Sequence, residues 1–139
     1  MDPHERAFAE SFVKRDRVER ILMCLSNRKK RHKFVRELAH HGIYFLAPEC
    51  LRSIKPSQQN PDSIFAILRG LDAPDTCRLI SEDTKLDGKE MDLLPALKEV
   101  VGGGMGTAIS CLPGRLGYFE GELRERYILQ NDLFPAPRL

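Results

Sequence analysis

The chain has 139 residues, of which 42% are hydrophobic and 30% are charged, and its formal net charge is +2. This composition predicts a folded globular protein with one hydrophobic core. No apolar run reaches the roughly 20 residues that a membrane span requires, and the first ten residues lack the apolar stretch of a secretory signal. We therefore expect a cytoplasmic protein with no membrane segment.

The charge is divided unevenly along the chain. Residues 1–55 contain 13 basic and 7 acidic residues, a net charge of +6, whereas residues 56–139 contain 9 and 13, a net charge of −4. We predict a single domain over residues 1–139. Its subregions are a basic, mainly helical part at 1–55, an acidic α/β part at 62–130 and an irregular tail at 131–139. The opposite charges would favour contacts between copies or with an acidic partner.

A long helix is predicted at the start of the chain, over about residues 3 to 25. Asp2 is suited to cap it, Pro3 suits its first position, and Glu5 occupies the place of a capping-box acid. The centre of this segment, KRDR, has few apolar residues, which favours a bend. Phe8 and Phe12 lie near its free end.

A second helix is predicted over about residues 28 to 41. The Ser-Asn pair at 26–27 breaks the first helix and offers a cap for the second. Gly42 is expected to end it in the left-handed conformation. Because the break is short, the two helices are expected to form an antiparallel hairpin.

Three further segments precede the second half of the chain. IYFLAP, at 43–48, predicts a short strand or extended segment, and PECLRSI predicts one or two helical turns from Pro48. A helix is predicted from Pro61 to Arg69, with Asn60 as its cap and Gly70 at its end.

The second half predicts strands alternating with one helix. The strands are expected at 76–81, 106–112 and 116–121, with a possible last strand at 126–130, and the helix at 89–101. A strand–helix–strand order predicts a parallel crossover. The predicted fold class is therefore α+β, with the N-terminal helical hairpin packed on a small mixed β-sheet of three to five strands built around a β-α-β-β unit.

The glycine run at 102–106 raises the question of a phosphate loop. Such a loop leads from a strand into a helix, so that free N–H groups at the helix start face the anion. Here the glycines follow a predicted helix and precede a predicted strand, and they are not followed by the lysine of a phosphate loop. We therefore interpret the run as a helix C-cap and a corner, with close approach of a ligand or partner backbone as the alternative.

No metal or redox motif is present among the four cysteines, which lie far apart in the sequence. Cys24, Cys77 and Cys111 have apolar neighbours, which predicts reduced, buried thiols, whereas the surroundings of Cys50 are less apolar. The histidines at 32, 40 and 41 lack the spacing of a metal site on one helix face. We predict no cofactor, no metal and no catalytic residue.

An acidic cluster provides the one catalytic alternative. Asp75, Asp83 and Lys85 have the letters of a metal-dependent nuclease site, but Asp83 and Lys85 fall in a predicted loop. A metal-dependent hydrolase or nuclease would require a set of carboxylates to converge in one pocket. The set is Glu82, Asp83, Asp87, Glu120 and Glu122.

The strongest charge feature is the segment NRKKRHK at the start of the second helix. Its basic residues are Arg28, Lys29, Lys30, Arg31 and Lys33. Cations at a helix N-terminus oppose the helix dipole, so contact with phosphates offers an external reason for them. Against this interpretation, no aromatic residue interleaves the segment to stack on bases, and the sequence pI of about 8.4 is low for a dedicated nucleic-acid domain.

The sequence thus favours a small cytosolic interaction or accessory protein without catalysis. The alternatives are nucleic-acid binding through the basic segment and the hydrolase described above. A protein partner or a homodimer is expected. In the dimer Phe8 and Phe12 would form an exposed apolar anchor, and the alternative is that both rings pack under the sheet of their own chain. The sequence does not decide whether the protein is an enzyme, but the lack of a catalytic motif favours a protein without catalysis.

Overall fold

The computed structural model describes residues 1–132, in which α-helices cover a β-sheet. The helices are α1 (Pro3–Phe12), α2 (Val18–Ser26), α3 (Arg28–Phe45), α4 (Pro61–Gly70) and α5 (Leu93–Val100). The strands are β1 (Leu51–Ser53), β2 (Thr76–Ser81), β3 (Glu90–Asp92), β4 (Thr107–Leu112), β5 (Leu116–Glu120) and β6 (Arg126–Gln130). The predicted α+β class is therefore confirmed. Most of the predicted irregular tail, from residue 133 onward, lies outside the described residues.

The predicted first helix is two helices. Asp2 caps α1 as expected, since its Oδ1 accepts hydrogen bonds from the N–H groups of His4 (2.9 Å) and Glu5 (3.2 Å). The helix ends at Phe12 because Val13 adopts an extended conformation and forms a β-bridge with Leu46. A 3-10 turn at Arg15–Arg17 then leads into α2. The predicted bend is thus a complete break, caused by pairing with a distant segment.

Helix α3 begins as predicted and extends further than predicted. The expected ending at Gly42 was wrong: α3 continues to Phe45 across a kink at His41, whose φ is −137°. Gly42 is not among the glycines with positive φ. A Cβ atom there would overlap the ring of Phe119, so glycine is required by close packing of α3 on the sheet. Of the strand or extended segment predicted at 43–48, residues 43–45 form the last turn of α3, whereas Leu46 is extended and pairs with Val13.

The middle of the chain follows its local signals in part. Helical turns were predicted over PECLRSI, and a 3-10 turn occupies Pro48–Cys50, whereas Leu51–Ser53 of the same segment form β1. Helix α4 begins at Pro61, and Asn60 Oδ1 accepts a hydrogen bond from the N–H of Ser63 at 2.9 Å. Both the cap and the extent of α4 are confirmed.

The sheet has the order β1-β6-β5-β4-β2-β3, and all of its described strand pairs are antiparallel. The predicted parallel crossover, and with it the mixed sheet, was wrong. The reason is β3, which was predicted as the start of a helix. It forms a hairpin with β2 and reverses the chain before α5, so that β4 returns antiparallel to β2.

Helices cover both faces of the sheet, and a separate hydrophobic cluster lies under each layer. We call the helices α1, α2 and α3 the first layer; they pack on sheet residues that include Ile80, Ala108 and Phe119. Helices α4 and α5 form the second layer, on the face that carries Leu79 and Ile109. The two faces alternate along each strand, as a pleated sheet requires.

Phe8 and Phe12 lie inside the first layer. Their exposed fractions are 1% and 0%, and their ring centroids are 6.0 Å apart in an edge-to-face arrangement. The prediction that they form an exposed anchor for a second copy was wrong, because the break after Phe12 directs α1 onto the sheet. The homodimer thereby loses its proposed contact.

The turn between β5 and β6 has an uncommon backbone. Leu123 and Arg124 have φ values of 59° and 66°, a region that L-residues other than Asn and Asp rarely adopt. Leu123 is 90% exposed at the tip. The turn is held against α3, since the N–H of Glu122 donates to the carbonyl of Ala39 at 3.0 Å.

Candidate functional site

The basic segment forms the first turns of α3. Asn27 caps the helix: its Oδ1 accepts hydrogen bonds from the N–H groups of Lys29 and Lys30, each at 3.1 Å. The cap was predicted, and it satisfies the first free N–H groups of the helix without an external anion. The five basic side chains then separate into one that points into the protein and four that point away from it.

Arg31 is the one that points inward. Its guanidinium donates two hydrogen bonds to the carboxylate of Asp87 (2.7 and 2.8 Å) and two to that of Glu5 (both 2.7 Å). The side chain is only 16% exposed. Its hydrogen bonds to Asp87, and then those to Glu5, raise the pKa of Arg31 above its ordinary value despite burial. Arg31 therefore joins α1, α3 and the β2–β3 loop, and its donors are occupied.

Glu5 also departs from its expected role. As a capping-box acid it would bond the backbone at the start of α1. Instead its carboxylate reaches Arg31, and the residue is 5% exposed. Local sequence patterns carry no signal for this pairing, because the two residues lie 26 positions apart.

The remaining cations point into solvent. Arg28, Lys29, Lys30 and Lys33 are exposed, as is Arg36 one turn further. Within residues 1–132 none of the five has an ion-pair partner. Lys30 Nζ lies 3.8 Å from Sδ of Met23, a weak acceptor. We call these five residues the basic face of α3.

Besides a cavity of about 500 Å³ at Arg28, which Glu82 and Asp87 also line, two grooves border the basic face. One, of about 380 Å³, follows α3 itself, and the other, of about 200 Å³, lies between α2 and α3. The first is lined by Lys29, His32, Lys33, Arg36, Glu37, His40 and His41. Glu37 is the one acid in both linings, and it lies 4.0 Å from Arg20 of α2. Basic side chains and histidines thus predominate in the groove along α3, whereas apolar and basic side chains together line the groove between α2 and α3.

Exposed rings stand at the far end of the same helix. The ring centroids of His40 and His41 are 6.3 Å apart, and those of His41 and Tyr44 are 6.1 Å apart. Tyr44 is 63% exposed. The basic segment itself contains no aromatic residue, and the sequence predicted a strand or extended segment at Tyr44. The signal was present in the spacing, since Tyr44 follows Arg36 by two helical turns.

The predicted acidic cluster is dispersed among separate partners. Asp87 binds Arg31, and its Oδ1 also accepts from the N–H of Ser81 at 2.9 Å. Glu122 lies 2.8 Å from Nδ1 of His40. In the described part of the chain, no three His, Cys, Asp or Glu residues are grouped so that they could hold a metal ion. Only Glu82 and Asp87 of the set line one cavity, which they share with Arg28 and Arg31, so the structure does not bring the five carboxylates together.

Glu120 explains the glycine run. This carboxylate is fully buried and accepts hydrogen bonds from the N–H groups of Gly102 (3.1 Å) and Gly104 (2.9 Å), and from Tyr118 Oη (2.8 Å). The loop N–H groups thus do bind an anion, and that anion belongs to the chain itself. Gly106 allows close packing instead, since a Cβ atom there would overlap the backbone of Ala39 on α3.

The four cysteines are free thiols. Burial raises the pKa of Cys77 to about 12 and raises the pKa of Cys50 and of Cys111 above the ordinary value. A buried thiol of raised pKa is a poor nucleophile at neutral pH. Cys24, which was expected to be buried, is partly exposed, whereas Cys50 is buried.

A histidine–serine contact joins α1 to the sheet. His4 Nδ1 lies 2.7 Å from Oγ of Ser110 on β4. Burial lowers the pKa of His4, and Arg78 adds to that effect, while Asp2 and Glu90 oppose it. Ser110 is itself buried, so the pair has the surroundings of a packing contact.

Comparison of the chain with protein-family models, with curated proteins and with solved structures found no match. Over residues 1–132, no helix has the length and apolar character needed to cross a bilayer. The geometry of the site is therefore the basis for assigning a function.

Proposed function

We propose that this protein binds nucleic acid through the basic face of α3. One observation carries the proposal: every exposed residue of α3 is Arg, Lys, His or Tyr. A solvated helix surface ordinarily mixes both signs of charge, because alternating ion pairs stabilise it. The sequence predicted a nucleic-acid contact through five basic residues. We retain four of them and replace Arg31 by Arg36, because the guanidinium of Arg31 is bound to Glu5 and Asp87.

The basic face contributes nothing evident to the stability of the fold. Three of its members, Arg28, Lys29 and Lys30, stand in the first turn of α3, where the helix dipole disfavours cations by roughly 0.3 to 1 kcal/mol each. Phosphate oxygens would compensate this repulsion, and they bind Lys and Arg strongly. Nucleic-acid binding would therefore explain why these cations are present on α3 although they form no ion pair within the described residues.

Binding of this kind has a defined salt dependence. If three to five cations each neutralise one phosphate, the logarithm of the association constant falls with the logarithm of salt concentration with a slope of about −2 to −4. The net charge of only +2 predicts moderate affinity at physiological salt. The proposed function includes no catalytic step.

We further propose a cytoplasmic location. All four cysteines are free thiols, which supports a reducing compartment.

The test is fluorescence anisotropy with a labelled oligonucleotide at increasing salt. The variant K29E/K33E/R36E reverses the centre of the basic face, and K85E/K89E/K98E is the matched control, because those lysines are exposed elsewhere and the change in net charge is identical. We expect the first variant to abolish binding and the control to weaken it only slightly. No binding by the unchanged protein at low salt, or equal losses in both variants, would contradict the proposal.

An interaction with a protein partner is the second candidate, and one observation favours it. Leu123 is 90% exposed at a hairpin tip whose backbone is strained, and strained backbone clusters at functional sites. Cross-linking of the protein to a partner in cell extract, lost in L123S and retained in K98E, would support this function. A homodimer remains a prediction without an identified contact.

A further inference from the structure

The basic face and the exposed rings form one strip along α3, which bends at the kink of His41. At intervals of three or four residues the strip contains Lys29, Lys33, Arg36, His40 and Tyr44. It runs for about 22 Å at 1.5 Å per residue. Cations occupy its first half, and the ring contacts among His40, His41 and Tyr44 occupy its second half. The two halves therefore offer different chemistry to one ligand.

The second half is unsuited to phosphates. Glu122 lies 2.8 Å from His40, and Glu125 stands close enough to Glu122 for the two charges to interact. These carboxylates repel a phosphate, whereas they accept hydrogen bonds from the N–H groups of bases, which include N3–H of thymine and uracil. An uncharged base is therefore favoured at the ring end, while the phosphates that follow it are favoured at the cationic end.

We propose, on the basis of the function proposed above, that the preferred ligand is single-stranded nucleic acid. A single strand exposes the faces of its bases for stacking on Tyr44 and His41, and its backbone can follow the row of Lys29, Lys33 and Arg36. In a duplex the same base faces are stacked on one another and cannot reach a ring. The basic segment alone lacks such a stacking surface, and the last turn of α3 supplies it.

The first experiment compares ligands. Anisotropy is measured with labelled oligothymidylate, oligouridylate and a duplex of mixed sequence, each of about 16 nucleotides, at one low salt concentration. We expect either single strand to bind at least about tenfold more tightly than the duplex. The two single strands distinguish DNA from RNA as the source of this shared chemistry. Equal or tighter binding of the duplex would overturn the inference and leave the proposed function intact.

The second experiment tests the ring directly. Tyr44→Ala should weaken binding of the single strand about tenfold, which is within the range for loss of one stacked base, whereas Tyr44→Phe should retain it. Because Tyr44 is exposed, neither change should disturb the core. If Tyr44→Ala binds as the unchanged protein does, stacking is excluded. If neither the single strands nor the duplex bind at low salt, both proposals fall together.

A spectroscopic readout accompanies the affinities. The chain contains no tryptophan, so Tyr44→Trp places a single indole at the ring end. Stacking of a base on that indole should quench its fluorescence on addition of oligothymidylate. Binding that is detected by anisotropy without any change in the indole fluorescence would contradict the stacking arrangement.

Discussion

The two helical layers that enclose the sheet are alike inside and differ on their outer surfaces. In the second layer the exposed charged residues of α4 and α5 are balanced: Asp62, Arg69, Lys98 and Glu99. Arg69 is also paired, with Asp75 at 2.9 Å. On α3 of the first layer, the exposed charged residues are basic without exception. A helical layer on this sheet does not require a surface of one charge sign, because the charges of the second layer are balanced. The excess of basic residues on α3 therefore supports a binding role for that helix.

The largest expected effects test whether the two helical layers pack equally well on the sheet. Phe8→Ala in the first layer should lower the free energy of unfolding by about 4 kcal/mol, and Leu68→Ala in the second by about 3 kcal/mol, because each removes a fully buried side chain. Urea denaturation measures both. The sedimentation mass should not change with Phe8→Ala. A loss below about 1 kcal/mol for either variant would show that its layer packs loosely on the sheet.

The next effect separates the two kinds of cation on α3. Arg31→Ala should lower the free energy of unfolding by about 3 kcal/mol, because Glu5 and Asp87 would each lose a charged partner in partly buried surroundings. Lys29→Ala, the exposed neighbour, should change it by less than about 0.5 kcal/mol. Similar values for the two variants in urea denaturation would mean that Arg31 is no more structural than the basic face.

A smaller effect compares the two surfaces in binding. Lys33→Ala should reduce the slope of the salt dependence of oligonucleotide binding by about one, as loss of a single phosphate contact does. Lys98→Ala, on the second layer, should leave the slope unchanged. The anisotropy titrations described above measure both slopes. If Lys98→Ala reduced the slope as much as Lys33→Ala does, the ligand would not bind specifically to α3.

The smallest expected effect depends on pH. Because the pKa of His4 is lowered in the folded protein, the unfolded chain takes up the proton first on acidification. His4 therefore contributes its full stability above about pH 6.5, and this contribution is lost as the pH falls through the lowered pKa of the folded state. His4→Gln should make the free energy of unfolding less sensitive to pH between about 7 and 5. If the free energy of unfolding of His4→Gln depended on pH as that of the unchanged protein does, protonation of His4 would not contribute to the pH dependence of stability.

Local signals in the sequence predicted much of the fold, and distant pairings account for what was missed. The caps at Asn27 and Asn60 act on the next few residues, and β2 and β6 have the apolar composition of strands, so all four were predictable. The sequence Glu-Met-Asp of β3 has little strand preference of its own and forms a strand through pairing with β2. The break after Phe12 likewise depends on Leu46.

The candidate site was predictable only in its charge. The basic segment was visible in the sequence, but which of its members are free was not, because the partners of Arg31 lie 26 and 56 positions away. The exposed rings were missed for a related reason. Apolar neighbours of Tyr44 predicted a strand or extended segment, whereas α3 continues to Phe45 and packs closely on Phe119 at Gly42.

The turn between β5 and β6 has a consequence for the order of folding. Turns with positive φ at both central residues are usually Asn-Gly, and Leu123-Arg124 forms one poorly without help. That help comes from α3, through the hydrogen bond from Glu122 to Ala39. We therefore expect α3 to be in place before this hairpin closes. Replacing the pair by Asn-Gly should let the hairpin close independently and increase the refolding rate measured by stopped-flow fluorescence or circular dichroism; an unchanged rate would show that the hairpin forms after the rate-limiting step.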